Sequence, residues 1–414
     1  MEKLLKFIQE NHDKDISRLI LDRKKYPEID MDLAINCIES RRKLKGKVQE
    51  WYDENELVFP LKLSAEQCSS SATGAYKADL AENIAPGNKE WRIADLTGGL
   101  GVDSWFFSKK AAEVLYNDMQ EILYDAAGHN FKVLGADNIR RSCLQISNDT
   151  ISTALEGFGP DIVYMDPARR GEGGRKVFLI EDCTPDVLTI KDEIFRHTRN
   201  ILLKLSPMAD ITMVCKRLGD TCREVHVVAA GGECKELLIW MDSQWSGEYS
   251  IKAVELRQNY PPATFRFTPS EESDALADIW NAEKHDVNGT QLFLFEPGKA
   301  LMKAGAYSLT ASRFGIAKLG KSTHYYLTDS PDTAQTLKEY GKVYSITEYL
   351  PLDKRAIKEI GRKYPKAEVT ARNIPMDTDA LRKKLGITSG DDAHIFGLKS
   401  DTEGNILLVG KRLI

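Results

Sequence analysis

Cysteine and histidine are scarce in this chain, with seven of each among 414 residues. The cysteines are scattered and odd in number, and no C-x-x-C pair occurs, which argues against a zinc or redox site. The histidines show no H-x-x-x-H or other ligand spacing, so we expect no bound metal. Unpaired cysteines of this kind fit a reducing cytoplasm.

Long apolar runs and a strong charge bias are also missing. No stretch reaches the ~18 apolar residues of a membrane span. The charged N-terminus, Met1–Lys6, lacks the apolar run of a signal peptide. We therefore expect a cytoplasmic protein without membrane contact. The net charge of -5 is mild and by itself argues neither for nor against a nucleic-acid partner.

The overall composition is that of a globular protein with more than one domain. Hydrophobic residues make up 42% of the chain and charged residues 29%. A length of 414 residues exceeds one ordinary core, so two or three domains are expected.

The most informative stretch is a predicted strand that runs directly into a glycine-rich turn, at Ile93–Asp103. Gly98, Gly99 and Gly101 would let a ligand approach the backbone, and the following helix would offer its N-terminus. Asp95 precedes the turn, where a carboxylate suits a ligand's ammonium group. A dinucleotide is the alternative ligand, but the third glycine of its G-x-G-x-x-G fingerprint is missing.

Two further acids follow predicted strands. Asp118 closes the strand Val114–Asn117, where a ribose hydroxyl needs an acceptor. Asp149 follows the predicted third strand, Cys143–Ser147, and would suit an adenine amine. The alternative role for Asp149 is the N-cap of a helix over residues 151–155.

A fourth predicted strand ends in the turn Asp166–Arg170, read D-P-A-R-R. This turn resembles the D-P-P-[YFR] turns of enzymes that methylate amino nitrogens, in which the acid and the proline carbonyl orient a planar amine. Arg169 and Arg170 would stack on a base or hold a phosphate, or else form salt bridges with acids such as Glu172 or Glu181. Carbon methylation of a pyrimidine would need a cysteine nucleophile, and Cys183 is the only downstream candidate. A lone intracellular cysteine more often packs inertly, so a nitrogen target is favoured.

Strands and helices alternate from residue 91 to about 242, which predicts a parallel sheet covered on both faces. The last strand would be an antiparallel insertion. The predicted strands are Arg92–Leu96, Val114–Asn117, Cys143–Ser147, Asp161–Met165, Ile201–Leu205, Glu224–Ala229 and Leu237–Met241.

The segment before this sheet is predicted to be helical over residues 1–60. The basic cluster at residues 41–47 is interpreted as a solvated helix face, with a nucleic-acid contact as the minority alternative. The hydroxyl-rich run at residues 63–77 would be a loop or helix cap, or else a segment that covers the ligand.

After residue 242 the pattern becomes α+β. A helix capped by Ser270 is predicted to reach Glu283, followed by short strands and turns over 290–327. From residue 341 the pattern predicts two helices against a small sheet. Residues 331–414 hold 15 Lys and Arg against 12 Asp and Glu, so the positive charge lies at this end of the chain.

Together these stretches resemble a bacterial family of class I S-adenosylmethionine (SAM) methyltransferases with a C-terminal THUMP-like domain. The stretches that carry the resemblance are Glu66–Ser70, Asp95–Asp103, His129–Phe131, Asp166–Arg170, Lys204–Met208, Arg372–Pro375 and Leu381–Leu385.

The resemblance implies an α/β fold with a Rossmann-like, seven-stranded class I methyltransferase core. An N-terminal helical region would occupy residues 1–85 and the core residues 86–257. A ferredoxin-like domain would follow at 258–330 and a THUMP-like domain at 331–414, both α+β.

The resemblance also implies SAM as the cofactor and assigns the site residues. Cofactor contacts are expected at Asp95, Thr97, Gly98, Gly99, Gly101, Asp118 and Asp149, and catalysis at Asp166, Pro167, Arg169 and Arg170. THUMP domains bind RNA in enzymes that modify tRNA and rRNA, so a base nitrogen of rRNA or tRNA is the expected target by analogy. The alternatives are a methyltransferase for a protein or small molecule, and a non-catalytic SAM- or RNA-binding protein.

Overall fold

The structure of the protein is a computed structural model that describes residues 1–85, 87, 90–169, 180–284 and 289–413. It divides into two compact units. The first holds residues 1–225 and 235–247, and the second holds residues 226–234 and those from 248 onward. Within the described ranges, no helix combines the length and apolar character that crossing a bilayer requires.

The first unit begins with helices, as predicted, and continues with helices that alternate with strands. Its helices are α1 (Glu2–Asn11), α2 (Ile16–Leu21), α3 (Met31–Leu44), α4 (Gln49–Asp53), α5 (Lys62–Gln67), α6 (Ser71–Ile84), α7 (Val102–Ser108), α8 (Glu121–Val133), α9 (Asn148–Leu155), α10 (Val187–Ile194) and α11 (Ile211–Leu218). Its strands are β1 (Arg92–Asp95), β2 (Glu113–Asn117), β3 (Ile139–Ser142), β4 (Ile162–Met165), β5 (Ala168–Arg169), β6 (Cys183–Thr184) and β7 (Asn200–Leu205). It also contains parts of β8 (Cys222–Ala230) and β9 (Glu233–Asp242), whose residues 226–230 and 233–234 are counted in the second unit.

The main sheet of this unit has the order β3-β2-β1-β4-β7-β9, followed by β8. The pairs β1·β2, β1·β4, β2·β3 and β4·β7 are parallel, and β9 runs antiparallel to β7, as predicted. The strands at the centre read as nearly unbroken apolar runs because helices cover both faces of a parallel sheet. This sheet confirms the predicted Rossmann-like core.

The predicted third strand was placed too late in the chain. The strand is Ile139–Ser142 rather than 143–147. Beyond it, the buried Asn117 side chain takes over the pairing: Nδ2 donates to Leu144 O at 3.0 Å and Oδ1 accepts from Leu144 N at 3.0 Å. Strand pairing therefore stops at Ser142, and residues 144–146 follow the end of β2 as a loop.

The basic cluster at residues 41–47 is neither a wholly solvated face nor a free cationic patch. Arg41 is buried, and its Nη1 and Nη2 donate to the carbonyls of Tyr52 and Glu54 at 2.7 and 2.8 Å. Lys47 Nζ donates to Glu66 O at 2.6 Å. These cations satisfy carbonyls at the C-terminal ends of α4 and α5, which composition alone does not indicate.

The second unit is α+β, as predicted. Its strands are β10 (Ser250–Leu256), β11 (Ala263–Phe267), β12 (Phe293–Pro297), β13 (Ala317–Lys318), β14 (Tyr326–Thr328), β15 (Gly341–Pro351), β16 (Glu368–Arg372), β17 (His394–Ser400) and β18 (Gly404–Arg412). Its helices are α12 (Pro269–Asp274), α13 (Lys299–Ala304), α14 (Tyr307–Phe314), α15 (Pro331–Leu337), α16 (Lys354–Lys363) and α17 (Thr378–Leu385).

One sheet of the order β13-β14-β12-β15-β18-β17-β16 organises this unit. Successive residues of β18 alternate between two apolar clusters: Leu407 and Val409 pack with the residues of α16 and α17, and Ile406 and Leu408 with those of β12 and β14. The alternation of apolar residues along β18 thus reflects burial on both faces of the sheet.

The prediction of a helix from Ser270 to Glu283 is wrong in both the N-cap residue and the length. Thr268 is the N-cap, and its side chain forms a capping box with Glu271. The helix ends at Asp274, and Glu272 within it binds the start of another helix. The Glu272 carboxylate accepts from Ser308 N and Leu309 N, at 2.8 and 2.9 Å, in the first turn of α14.

Candidate functional site

A cavity of about 740 Å³ opens in the first unit at the carboxyl ends of β1, β2, β4 and β7. This edge is where ligands bind in open α/β sheets, and the volume is in the range of small-molecule sites. Predicted site residues and other polar groups line it together: Asp95, Thr97, Gly98, Gly99, Gly101, Asp103, Asp118, Asp166, Pro167 and Lys204.

The glycine turn is shaped by close packing and by positive φ angles. Gly99 and Gly101 have φ of 55° and 91°, which glycine adopts without strain. A Cβ on Gly98 would lie 2.2 Å from the Tyr116 ring, so the aromatic ring beneath the turn requires glycine there. A Cβ on Gly99 would meet only Thr97 O, at 4.0 Å, and would therefore project into space where a ligand could approach.

Asp118 lies at the end of β2, directly beside this turn. Its Oδ2 accepts from Gly99 N and its Oδ1 from Gln120 N, each at 2.8 Å. Burial raises the pKa of this carboxyl above its ordinary value, while the two amide bonds oppose the shift. Each carboxylate oxygen has about two acceptor positions, so both can still receive a ligand hydroxyl.

Asp95 is more deeply placed than predicted, with 1% of its surface exposed. Its Oδ1 accepts from Thr97 N at 3.1 Å, and its Oδ2 from Ser104 Oγ at 2.6 Å. Burial raises the pKa of this carboxyl to about 8. Asp95 therefore links the turn, through Thr97, to the first turn of α7, through Ser104.

Asp166 follows β4, on the side of the cavity opposite Asp118. Its backbone N–H donates to Thr97 Oγ1 at 2.6 Å, so Thr97 links the glycine turn to this strand end. Its carboxylate Oδ2 accepts from Lys204 Nζ at 2.5 Å. Pro167 is buried, and Ala168 begins the short strand β5, which pairs with β6.

A buried ionic cluster lies against the same cavity, formed by Lys77, Asp103 and Glu236. The Lys77 side chain is 0% exposed, and its Nζ lies 2.8 Å from Glu236 Oε1 and 3.3 Å from Asp103 Oδ1. Asp103 Oδ2 also accepts from Tyr164 OH at 2.8 Å and from Ser69 Oγ at 2.9 Å. Buried charges need this degree of pairing, because desolvation is otherwise costly.

Neighbouring opposite charges shift the pKa values of Asp103 and Lys204 toward the charged forms. Burial would raise the pKa of Asp103, but the ammonium groups of Lys77 and Lys204 outweigh it, and the pKa is lowered. Burial would likewise lower the pKa of Lys204, but the carboxylates of Asp166, Asp103 and Glu236 raise it. Lys204 is therefore a stable ammonium beside the cavity.

The structure does not bring Asp149 into this site. It lies exposed in the first turn of α9 and is not among the residues that line the cavity, because β3 ends at Ser142. It is not the N-cap either: Ser147 is, in a capping box with Thr150. Leu144, Gln145 and Ile146 line the cavity instead.

The two arginines of the D-P-A-R-R turn are described only in part. Arg170 lies outside the described residues, and for Arg169 we describe the backbone alone, which pairs with Cys183. Glu181, one of the acids predicted to pair with them, forms an ion pair with Arg217 at 2.9 Å. Cys183 is buried, as expected of a packed cysteine.

The hydroxyl-rich segment before β1 supplies a helix cap, as predicted, and also lines the cavity. Ser70 is the N-cap of α6 and forms a capping box with Thr73. Ser64, Gln67, Cys68 and Ser69 line the cavity. The described residues contain no group of three or more His, Cys, Asp or Glu side chains arranged to hold a metal.

Sequence reasoning missed Lys77, Asp103, Lys204 and Glu236. The one usable signal is Lys204, a cation within the apolar strand Ile201–Leu205. A charge in a buried strand needs a partner, but the partner's identity depends on which strand end lies beside it.

Comparisons with known proteins support both parts of the fold. Residues 341–412 match the family model described as THUMP domain-like, and residues 293–333 match that of a ferredoxin-like domain. Both matched regions contribute to the seven-stranded sheet of the second unit, through the antiparallel pair β12·β15. No curated protein matches the chain.

Among solved structures, the chain is similar over its full length to a protein described as a putative methyltransferase, from Porphyromonas gingivalis W83. The identity is 26%, the TM-score 0.84, and the match covers 100% of this chain and 98% of the other. The family resemblance noted in the sequence is therefore confirmed at the level of the whole-chain fold.

Two partial matches cover less of the chain. An rRNA methylase from Streptococcus thermophilus matches 41% of this chain and 96% of its own, at 12% identity and a TM-score of 0.30. A protein from Streptococcus mutans, described as a putative methyltransferase in complex with SAH, matches 40% and 96%, at 15% identity and a TM-score of 0.29. At these scores we draw no inference from either.

Proposed function

We propose that the protein is a SAM-dependent methyltransferase that acts on a base nitrogen of rRNA or tRNA. The observation that carries this proposal is the meeting, in one cavity, of two strand-end acids with different surroundings. Asp118 lies beside the glycine turn, and Asp166 lies in the D-P-A turn. The full-length similarity to the Porphyromonas protein supports it.

The residues on the β1–β2 side of the cavity fit SAM, and we call them the cofactor side: Asp95, Gly98, Gly99, Gly101 and Asp118. Asp118 would accept the ribose hydroxyls with the lone pairs that its two amide bonds leave free. The open space at Gly99 would admit the ligand close to the backbone. Asp95 was expected to meet the ammonium group; because only 1% of its surface is exposed, we propose that it chiefly holds the turn in shape.

The residues on the β4–β7 side, Asp166 with Lys204, form the transfer side. When bound, SAM supplies a methyl group on a positively charged sulfur. The sulfur keeps the C–S electron pair as the nitrogen lone pair forms the new N–C bond. Asp166 and the carbonyl of Pro167 would accept hydrogen bonds from the target amine and so orient its lone pair. The N–H proton is then released to solvent.

The RNA part of the proposal rests on the THUMP-like match and on the charge of α16 and α17. These neighbouring helices carry the basic residues Lys354, Arg355, Lys358, Arg362, Lys363, Arg382, Lys383 and Lys384. Lys363 pairs with Glu348 and Arg382 with Asp379, and the other six cations are exposed. We propose that these six form a basic face that attracts phosphates and gives salt-dependent binding.

Charge reversal tests this basic face. The double variant Lys358→Glu/Arg362→Glu should weaken RNA binding and reduce the slope of log affinity against log salt by about 1–2. The double variant Lys3→Glu/Lys24→Glu reverses two exposed cations of the first unit and is the matched control. An unchanged slope in the double variant would remove this face from the RNA site.

The substrate class is tested by tritiated SAM with total RNA from cells that lack the gene. We expect label in rRNA or tRNA. Label in protein or small molecules alone would favour the alternative substrate classes. Absence of label from all three fractions, together with retained SAM binding, would favour a non-catalytic protein.

A further inference from the structure

Lys204 and Asp166 lie at the same level on two neighbouring parallel strands. In the pairing of β4 with β7, Met165 is aligned with Leu203, so the next residue of each strand emerges at the cavity edge. The two side chains meet there although they are 38 residues apart in the sequence. The contact is therefore fixed by the sheet register rather than by a flexible loop.

The carboxylate of Asp166 is held on one side only. Lys204 Nζ bonds Oδ2, and Thr97 Oγ1 holds the backbone N–H of Asp166. Among the described residues, no hydrogen bond is made to Oδ1. The Asp166 side chain is 38% exposed, while that of Lys204 is only 12% exposed. The lysine thus approaches from inside the protein, and Oδ1, to which no described residue donates, remains available to the cavity.

Further carboxylates secure the charge of Lys204. Burial alone would lower its pKa, but Asp166, Asp103 and Glu236 raise it. Lys77 forms the direct contacts with Asp103 and Glu236, which leaves the ammonium of Lys204 directed at Asp166.

We propose that Lys204 is a positioning residue for methyl transfer. It fixes Oδ2 of Asp166 so that Oδ1 is presented to the N–H of the target amine. This inference rests on the proposed function, since it assigns to Lys204 the orientation of the residue that receives the substrate nitrogen. In this assignment Lys204 acts through Asp166 rather than by direct contact with the methyl donor or the target atom.

The test compares Lys204→Met and Lys204→Arg with the wild type. The control is Lys110→Met, because Lys110 is a partly exposed lysine that pairs with Asp79 and Glu82. We expect Lys204→Met to lower the single-turnover rate of methyl transfer to RNA about 100-fold, the typical cost of a small misplacement. The dissociation constants for SAM and for RNA should stay within a few-fold. Lys204→Arg should recover part of the rate, because a guanidinium can still bond Oδ2.

A crystal structure of Lys204→Met gives a readout that does not depend on activity. We expect the Asp166 carboxylate to leave its wild-type rotamer. If Lys204→Met fails to fold, Lys204→Gln, which retains a donor without the charge, takes its place in both measurements.

The outcomes separate this inference from the proposed function. If Asp166 keeps its rotamer and the rate is unchanged, the positioning role is wrong while the proposed function stands. If the wild type labels no RNA, the proposed function is wrong, and the rotamer of Asp166 still decides whether Lys204 holds it. If Lys204→Met loses SAM binding together with transfer, Lys204 supports the cavity as a whole and the positioning role is overturned.

Discussion

On the cofactor side of the cavity, the polar contacts come from residues close in sequence. Asp118 accepts from Gly99, only 19 residues away, and Asp95 accepts from Thr97 and Ser104. On the transfer side, Asp166 meets Lys204 across 38 residues, and the cluster behind them joins Lys77 to Glu236 across 159. The first set needs only β1 and its neighbour β2 in place, whereas the second also needs β4, β7 and β9.

Because of this difference, we expect substitutions on the two sides to have different consequences. Backbone amides shape the cofactor side, so single substitutions there should weaken binding moderately. Buried charges hold the transfer side, and a charge left without its partner is costly. Variants on the two sides should therefore differ in both the size and the kind of their effects.

The largest effect is expected at Lys77, which is fully buried between Glu236 and Asp103. Lys77→Met leaves two buried acids without their shared cation and should lower the free energy of unfolding by about 3–5 kcal/mol. Lys110→Met, which breaks only surface pairs, should cost less than about 1 kcal/mol. Denaturant unfolding of both variants measures the contrast, and equal losses would contradict the buried-charge account.

The second effect concerns Asp95 and pH. Its pKa is raised to about 8 by burial, so the folded state favours the protonated carboxyl. The resulting stability is present at low pH and is lost as pH rises from about 4 through about 8. Relative to Asp95→Asn, which cannot ionise, the wild type without ligand should lose roughly 4 kcal/mol over that range.

Thermal unfolding of both proteins between pH 4 and pH 9 measures this loss. As pH rises, the Tm of the wild type should fall steadily relative to the Tm of Asp95→Asn. A constant difference would mean that Asp95 is ionised throughout, and that it is available to a cation as the sequence predicts.

The smallest effect concerns SAM affinity at Asp118. Asp118→Ala removes the proposed acceptor for the ribose hydroxyls and should weaken SAM binding by about 1–3 kcal/mol. Asp149→Ala is the control, because Asp149 is exposed and does not line the cavity. Calorimetry should show the loss in Asp118→Ala alone. Equal SAM affinity in a folded Asp118→Ala protein would remove Asp118 from the site.

The same division explains which features the sequence could predict. The glycine turn and Asp118 follow from local spacing, because a strand, a tight turn and a strand-end acid are all read from contiguous residues. Most of the core strands follow from apolar runs bounded by turns. The antiparallel insertion β9 follows from its place in a resembled fold.

The errors arise where a side chain changes the outcome of a local pattern. Asn117 replaces strand pairing with its own amide bonds to Leu144, which ends β3 early and leaves Asp149 outside the cavity. Glu272 binds the first turn of α14, and the helix predicted to reach Glu283 stops at Asp274. The pairs Lys204–Asp166 and Lys77–Glu236 depend on strand register and strand order, which no spacing rule contains.

The central claim is that cofactor binding and methyl transfer occupy opposite sides of one cavity. Its most direct test measures SAM binding by calorimetry and tritium transfer from labelled SAM to RNA, in the wild type and in Asp166→Ala. We predict transfer by the wild type, none detectable in Asp166→Ala, and SAM dissociation constants within a few-fold of each other. Transfer by Asp166→Ala at the wild-type rate, or loss of SAM binding together with transfer, would contradict this claim.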